Sequence, residues 1–262
     1  MQIGMESWLF VAALGTSMLG GVLGMASGIF IVPILTMFAR IDIHTAVGAS
    51  LVSVIACSCA SAAPFLKERL TDIRLAILLE TATTAGALCG VFLAGLIPAK
   101  YLFFLFAFIL LLSAQQMLAR RREAAPQRDV SHPVRRVPLG MTLMYGAGLI
   151  SALLGIGSGV LKIPAMDTAL RLPIKVSSAT SNFMIGVTAA ASAAAYFARG
   201  EIITAVAAPI ALGSVAGAVL GARILIAVPA QRLRLMFIGI LVMLAAQMML
   251  AAFGIQLIGP AS

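Results

Sequence analysis

A short glycine-containing stretch occurs twice in this chain of 262 residues, each time inside a long apolar run. The first copy spans 24–33 and reads GMASGIFIVP, and the second spans 155–164 and reads GIGSGVLKIP. Glycine and proline weaken a helix and leave backbone N–H and C=O groups without helical partners. In a membrane such a break is tolerated only where it is buried in protein or lines a wet cavity. The two stretches are therefore the leading candidates for a binding site on a transport route.

Lys162 is the most informative single residue, because it lies three positions after Gly159 inside the second stretch. A charged amine near the centre of a bilayer costs at least ~2.5 kcal/mol on insertion scales. One interpretation is an anion ligand beside the N-terminus of a helix, whose partial positive charge also favours anions. The alternative is a lysine that reaches the membrane interface with its amine or pairs with Asp167.

Small polar groups near the two stretches are the second set of candidate ligands. Hydroxyl and amide groups donate hydrogen bonds to oxyanions without carrying a fixed charge. Interhelical hydrogen bonding in a bundle rich in small residues is the equally open alternative. The candidates for substrate binding, besides Lys162, are Ser27, Gly28, Ser50, Ser158, Gly159, Thr180, Ser181 and Asn182.

Two carboxyl groups are candidates for coupling transport to protons. Glu80 lies inside the third apolar segment, and Asp167 follows the second stretch. A carboxyl group within a membrane segment is a proton-relay candidate by default. Proton coupling is therefore one expectation for this chain.

The composition predicts an all-α polytopic membrane protein. Hydrophobic residues make up 61% of the chain and charged residues 10%, and the mean hydropathy is +1.09. The apolar runs are too long and continuous for the alternating strands of an outer-membrane barrel. They span roughly 8–39, 44–66, 73–97, 100–119, 140–170, 174–198, 202–227 and 231–255.

The two halves of the chain form one repeat at a constant offset of 131 positions. Glycine, proline and serine stay in register, which chance similarity between apolar helices would not produce, so an internal duplication is indicated. Matching pairs are Gly24 and Gly155, Ser27 and Ser158, Pro33 and Pro164, Ser50 and Ser181, Gly86 and Gly217, and Gly90 and Gly221. We predict a first membrane repeat at 1–119, a cytoplasmic Arg-rich linker at 120–138 and a second membrane repeat at 139–262.

Lys162 and Asn182 are two of the positions at which the repeat is broken. Lys162 stands where the first half has Ile31, and Asn182 stands where it has Leu51. This asymmetry predicts one substrate site that is built mainly from the second half.

The distribution of basic residues favours halves of inverted topology. If both broken segments turn back, the linker side of the membrane holds 14 Lys and Arg residues and the other side holds three, Arg40, Lys100 and Arg199. If all eight segments cross fully, the counts become 10 and 7. Because basic residues concentrate on the cytoplasmic side, the first arrangement is favoured. Each repeat is then a broken re-entrant helix hairpin followed by three transmembrane helices.

Several motifs together resemble the TauE/SafE family of sulfite and organosulfonate exporters, from about residue 10 to 250. They are the pattern GxxSGxxxxP in both halves, AVGASL at 46–51, SATSN at 178–182, RGE at 199–201, and GxxxG at 86–90 and 217–221. The family motif is richer in glycine, so the first site is either less open or uses the Ser27 hydroxyl as a ligand. The resemblance implies movement of small anions such as sulfite, sulfonates or carboxylates across a bacterial inner membrane.

Other classes of protein find little support. We recognise no catalytic Ser/His/Asp set, nucleotide-binding loop or metal-type spacing, so an enzyme, a cofactor and a metal are not expected. The net charge of +9 comes from short loops and not from a basic patch with aromatic residues, so nucleic acid is not an expected partner.

The expected function is secondary transport of a small anion by alternating access around a midplane site. An uncoupled anion channel or a permease for small carboxylates is the alternative. The expected partners are the anion and the lipid bilayer, and a homodimer is left open.

Overall fold

The computed structural model of the chain describes residues 2–23, 27–67, 71, 73–119, 137–157, 159, 161–162, 165–166, 174–225 and 230–253. Over these residues the regular elements are helices, so the predicted all-α class is confirmed. The helices are α1 Gln2–Leu23, α2 Gly28–Met37, α3 Ile43–Lys67, α4 Ile73–Ala94, α5 Ala99–Ala119, α6 Val137–Leu154, α7 Ile174–Ala198, α8 Thr204–Leu225 and α9 Ala230–Ala252.

Three helices in the described part of the chain are long and apolar enough to cross a membrane. They correspond to Ile43–Ala62 in α3, Ile73–Ala94 in α4 and Thr204–Gly221 in α8. Shorter apolar helices accompany them at Gly28–Met37, Ala99–Gln115, Pro138–Leu154 and Leu241–Ala252. A helix needs about 20 apolar residues to span the hydrocarbon core, and these helices provide that length. The protein is therefore a membrane protein by the length and composition of its helices.

The helix boundaries reproduce the internal repeat. Helices α3, α4 and α5 begin at 43, 73 and 99, and α7, α8 and α9 begin at 174, 204 and 230, each 131 positions later. The packing follows the same relation, because α1 packs against α8 while α6 packs against α4. Helices α3 and α7 pack against each other, as do α5 and α9. The contact of α1 with α8 is thus the repeat-related equivalent of the contact of α6 with α4.

The directions of the packed helices are those that an inverted repeat requires. Gly48 at the start of α3 faces Glu201 after the end of α7, whereas Ser58 further along α3 bonds Asn182 near the start of α7. These two helices therefore run antiparallel. Phe104 near the start of α5 stacks edge-on with Phe253 after the end of α9, which gives the second pair the same relation. The inverted orientation across a membrane stays a prediction, which these directions support.

Glycines at two equivalent interfaces bring helix backbones into direct contact. A Cβ added at Gly86 of α4 would clash with the carbonyl oxygen of Tyr145 in α6, and Gly217 of α8 faces Leu14 of α1 in the same way. Small residues of this spacing let membrane helices approach closely. The two GxxxG patterns therefore serve helix packing.

Replacing Gly86 with valine should lower the free energy of unfolding of the purified protein by about 1–3 kcal/mol, because the new side chain meets backbone atoms that cannot rotate away. Gly146 on α6 has no atom within 4 Å of its Cβ direction, so Gly146→Val is the matched control and should leave stability nearly unchanged. Melting of both variants in detergent measures the difference. Equal melting temperatures would contradict the close contact.

Candidate functional site

The first broken segment folds the chain back on itself. Helix α1 ends at Leu23 and α2 begins at Gly28. The rings of Trp8 and Phe38 lie 6.5 Å apart, so the end of α2 returns to the level of the first turns of α1. This is the geometry of a re-entrant hairpin, in which a short helix presents its N-terminus at the inner end of the turn.

The two broken segments meet at a backbone contact. Gly28 packs so closely on Gly155 that a Cβ would clash with the Gly155 carbonyl oxygen. Gly155 and Gly157 have φ values of +63° and +67°, which favour glycine and end α6 at Leu154. The Ser50 hydroxyl donates to the Gly155 carbonyl oxygen at 2.8 Å and so satisfies a group that the break leaves free.

A buried ion pair lies beside the second break. Lys162 is fully buried, and its Nζ donates to Oε2 of Glu80 on α4 at 3.1 Å. Nζ also donates to the Thr188 hydroxyl of α7 at 2.7 Å, and that hydroxyl bonds the other oxygen of Glu80. Because burying an unpaired charge is costly, the pair explains how a lysine is accommodated among apolar helices. We call Glu80, Lys162 and Thr188 the charged cluster.

The charged cluster combines Glu80 of the first half with Lys162 and Thr188 of the second half, and its residues are not repeated at the equivalent positions. The positions equivalent to Glu80, Lys162 and Thr188 are Ala211, Ile31 and Cys57. Ile31 and Cys57 are buried, so the equivalent place is occupied by an isoleucine, a cysteine and an alanine. The ion pair of Lys162 and Glu80 therefore occupies only one of two repeat-related places.

Serine hydroxyls line the first break instead. Ser27 and Ser53 share a hydrogen bond of 2.7 Å, and Ser53 and Ser214 share one of 2.5 Å. All three side chains are fully buried. Three hydroxyl protons serve two hydrogen bonds within this group, and the Ser27 hydroxyl also bonds the Cys57 thiol of α3. We call these three residues the serine cluster.

Two buried hydrogen-bond donors of α7 have no partner among the described residues. They are the Ser181 hydroxyl and the Asn182 side-chain NH₂. The backbone oxygen of Asn182 accepts a bond from Ser58, which anchors this part of α7 against α3. Buried polar groups without partners are rare and costly in native proteins, and they mark places where a ligand or water completes the bonding.

The other predicted ligands have mixed outcomes. Gly159 and Thr180 are buried beside the residues above. Ser158 and Asp167 lie outside the described residues, as does most of the predicted linker, at 120–136. The alternative interpretation, in which Lys162 reaches the membrane interface, is wrong, because its side chain is fully buried and bonded to Glu80.

Some residues of the site were not singled out from the sequence. Thr188, Ser53 and Ser214 belong to the charged and serine clusters but have no unusual neighbours in the chain. Helical spacing was the available signal: Ser181 and Thr188 are seven positions apart, as are Ser50 and Cys57, which places each pair on one helix face.

The Arg-Gly-Glu motif connects the C-terminal ends of α4 and α7. Gly200 adopts a φ of +75° directly after α7, and the Glu201 N–H bonds the Tyr196 carbonyl oxygen. This turn directs the Arg199 guanidinium to the Val91 carbonyl oxygen in the last turn of α4, at 2.7 Å. A cation at the C-terminus of a helix satisfies free carbonyl groups and the helix dipole. The motif thus fixes α4 and α7, which carry Glu80 and Thr188.

Apolar helices that enclose two broken segments and a buried ion pair are typical of a membrane transporter. A family model described as Sulfite exporter TauE/SafE matches residues 9–248. The chain therefore belongs to this family, and the resemblance seen in its motifs is confirmed.

Two curated relatives agree with the class. The chain is similar to "Probable membrane transporter protein YdhB" of Bacillus subtilis (strain 168), with 28% identity over 208 residues that cover 78% of this chain and 83% of the relative. It is also similar to "Probable membrane transporter protein YunE" of the same organism, with 26% identity over 239 residues that cover 82% and 87%. No solved structure matches the chain significantly.

Proposed function

We propose that this protein is a multi-pass secondary transporter, and not an enzyme, that moves small anions such as sulfite or organosulfonates across the bacterial inner membrane. The family description supports anions of this kind. The observation that carries the proposal is the set of buried donors around two broken segments that meet at Gly28 and Gly155.

The donors are of the kinds that bind oxyanions. Lys162 uses two of its three N–H groups within the charged cluster, and the third has no partner among the described residues. The Ser181 hydroxyl and the Asn182 side-chain NH₂ have no partner among the described residues, and the serine cluster adds three buried hydroxyl groups. An anion that binds at any of these groups gains hydrogen bonds, and at Lys162 also a positive charge, in a site shielded from water.

Alternating access is the movement that suits this architecture. Helices of one half make equivalent contacts with helices of the other half, and the broken segments touch at Gly28 and Gly155. Rocking of one half against the other would expose that point first to one side and then to the other. An uncoupled channel would instead give ohmic anion currents in planar bilayers and no countertransport, which separates the two candidates.

Removing the unpartnered donors should weaken anion binding without loss of stability. The purified double variant Ser181→Ala/Asn182→Leu should melt at the same temperature as the wild type or higher, because each unpartnered buried group costs about 1–3 kcal/mol. The stabilisation by sulfite, thiosulfate or methanesulfonate in a thermal-shift panel should fall together with the affinity.

Thr142 provides the matched control for this panel, because its exposed hydroxyl bonds the Leu139 carbonyl oxygen of its own helix. Thr142→Val should bind anions like the wild type. A double variant at Ser181 and Asn182 that retains wild-type affinity for each stabilising anion would overturn this placement of the site. A wild-type protein that is stabilised by none of these anions and transports none of them would overturn the proposed function.

A further inference from the structure

The charged cluster is neutral as a unit, which restricts how an anion can bind to it. Lys162 is fully buried and its counter-ion is the Glu80 carboxylate. An anion added to this unit would create an excess negative charge among apolar helices. Removing the excess requires a proton, and Glu80 is the group placed to take it up.

We propose that Glu80 is the proton carrier of anion–proton cotransport, in which the anion replaces the Glu80 carboxylate as counter-ion of Lys162 only when Glu80 is protonated. This inference rests on the proposed function. One proton joins the Glu80 carboxylate, and one monovalent anion joins the Lys162 ammonium. The cluster then holds one positive and one negative charge, as it did before, so the step moves no net charge.

The geometry supports this exchange of counter-ions. Lys162 contacts a single oxygen of Glu80, and the other oxygen bonds Thr188. A protonated Glu80 can keep Thr188 as its partner while it releases the lysine, because the hydroxyl both donates and accepts. The released N–H and the third N–H of Lys162 then point to the anion.

The two charged groups differ in their exposure. The side chain of Lys162 is 0% exposed, whereas that of Glu80 is 11% exposed. Glu80 lies seven residues after the start of α4, which is about 10 Å along the helix. The carboxyl group is therefore the member of the pair that keeps some exposed surface, and the ammonium group keeps none.

The other titratable groups of α4, α6 and α7 whose side chains are described are exposed or bonded elsewhere, as is Tyr196, which donates to the Ala152 carbonyl oxygen. On α4, Arg74 and Cys89 are exposed. On α6, which packs against α4, Tyr145 is 39% exposed, and its backbone contacts Gly86. On α7, Arg199 reaches Val91, about three turns beyond Glu80.

The remaining contacts of Glu80 come from hydroxyl groups. Thr83 and Thr84 of α4 place their hydroxyl oxygens 3.4 Å from its two carboxylate oxygens. Among the described residues, Lys162 is thus the charged group that contacts Glu80.

Methanesulfonate is a suitable probe, because a sulfonate stays ionised and cannot carry the proton itself. The full chain is reconstituted in liposomes that contain a pH-sensitive dye. With the wild type, an imposed pH gradient should drive accumulation of labelled methanesulfonate, and a methanesulfonate gradient should move protons in the same direction as the anion. Methanesulfonate flux without proton movement in the wild type would overturn the proposal even if no variant folds.

Glu80→Gln separates coupling from binding, because glutamine resembles the protonated acid. This variant should exchange labelled for unlabelled methanesulfonate across the membrane but should lose accumulation driven by the pH gradient and all proton movement. Thr81→Val is the matched control: its exposed hydroxyl bonds only its own helix at Leu78, so it should keep both activities.

Each outcome separates the two proposals. Proton-driven accumulation retained by Glu80→Gln would overturn the role of Glu80 while the transporter stands. Loss of exchange in a folded Glu80→Gln protein would also overturn it, because Glu80 would then be required for binding. A wild type that exchanges neither methanesulfonate nor sulfite would overturn the proposed function together with this inference.

Discussion

Replacing Lys162 with methionine should abolish anion transport and also destabilise the protein. The variant leaves the Glu80 carboxylate buried beside Thr188 without its counter-ion. Breaking a buried ion pair by removing one partner costs about 3–5 kcal/mol, since the remaining charge is uncompensated. The expression and melting temperature of the single variant should therefore fall, in addition to its transport activity.

The double variant Lys162→Met/Glu80→Met separates these two effects. Replacing both members of a buried pair by apolar groups of similar volume is often neutral for stability. The Thr188 hydroxyl keeps a partner, because it also bonds the Met184 carbonyl oxygen of its own helix at 3.1 Å. The double variant should melt close to the wild type and still transport no anion. Anion transport at the wild-type rate in either variant would contradict the role of Lys162 as a ligand.

The positions of the helices were predictable because apolar runs and their breaks are local features. The run at 174–198 coincides with α7, and the run at 73–97 contains α4, which ends at Ala94. The run at 8–39 holds two helices, as its glycine-containing stretch indicated. Helix α1 begins at Gln2, earlier than predicted, because the polar residues Gln2, Glu6 and Ser7 do not prevent a helix from continuing beyond its apolar part.

The pairing of Lys162 with Glu80 was not predictable from spacing. The two residues are 82 positions apart and lie on elements that meet only in the folded protein. Each was singled out alone, the lysine as a ligand and the glutamate as a proton carrier. The repeat contained the missing signal: both equivalents, Ile31 and Ala211, are apolar. Two charges of opposite sign that break the same repeat are expected to compensate each other.

The hydrogen bonds of the serine cluster were not predictable from the sequence for a different reason. Ser50, Ser53, Cys57 and Ser61 follow one face of α3 at helical spacing, and all four are buried. Such a stripe indicates a polar helix face but not its partners, since hydroxyl groups bond equally well to a neighbouring helix, to their own helix or to a ligand. In the structure Ser61 bonds its own helix and Ser53 bonds Ser214 of α8. Only the packing of the helices decides between these outcomes.

Replacing Gly28 with alanine should separate the two broken segments and abolish transport. A methyl group at this position would meet the Gly155 carbonyl oxygen and would lie 2.9 Å from a methyl group of Val54. Rotation of a side chain cannot relieve the first contact, because the atom belongs to the backbone. The displacement would also strain the hydrogen bond from Ser50 to Gly155, which holds the second break against α3. Anion uptake into liposomes and melting in detergent should both decline.

Gly15 on α1 is the matched control for this substitution. A Cβ at Gly15 meets no atom within 4 Å, and alanine is favoured over glycine inside a helix by roughly 1 kcal/mol. Gly15→Ala should therefore transport like the wild type and melt at the same temperature or slightly higher. The same exchange of glycine for alanine thus has opposite expected effects on stability at two sites of the first hairpin. If Gly28→Ala transports anions at the rate of Gly15→Ala, the contact between the broken segments is not part of the transport cycle.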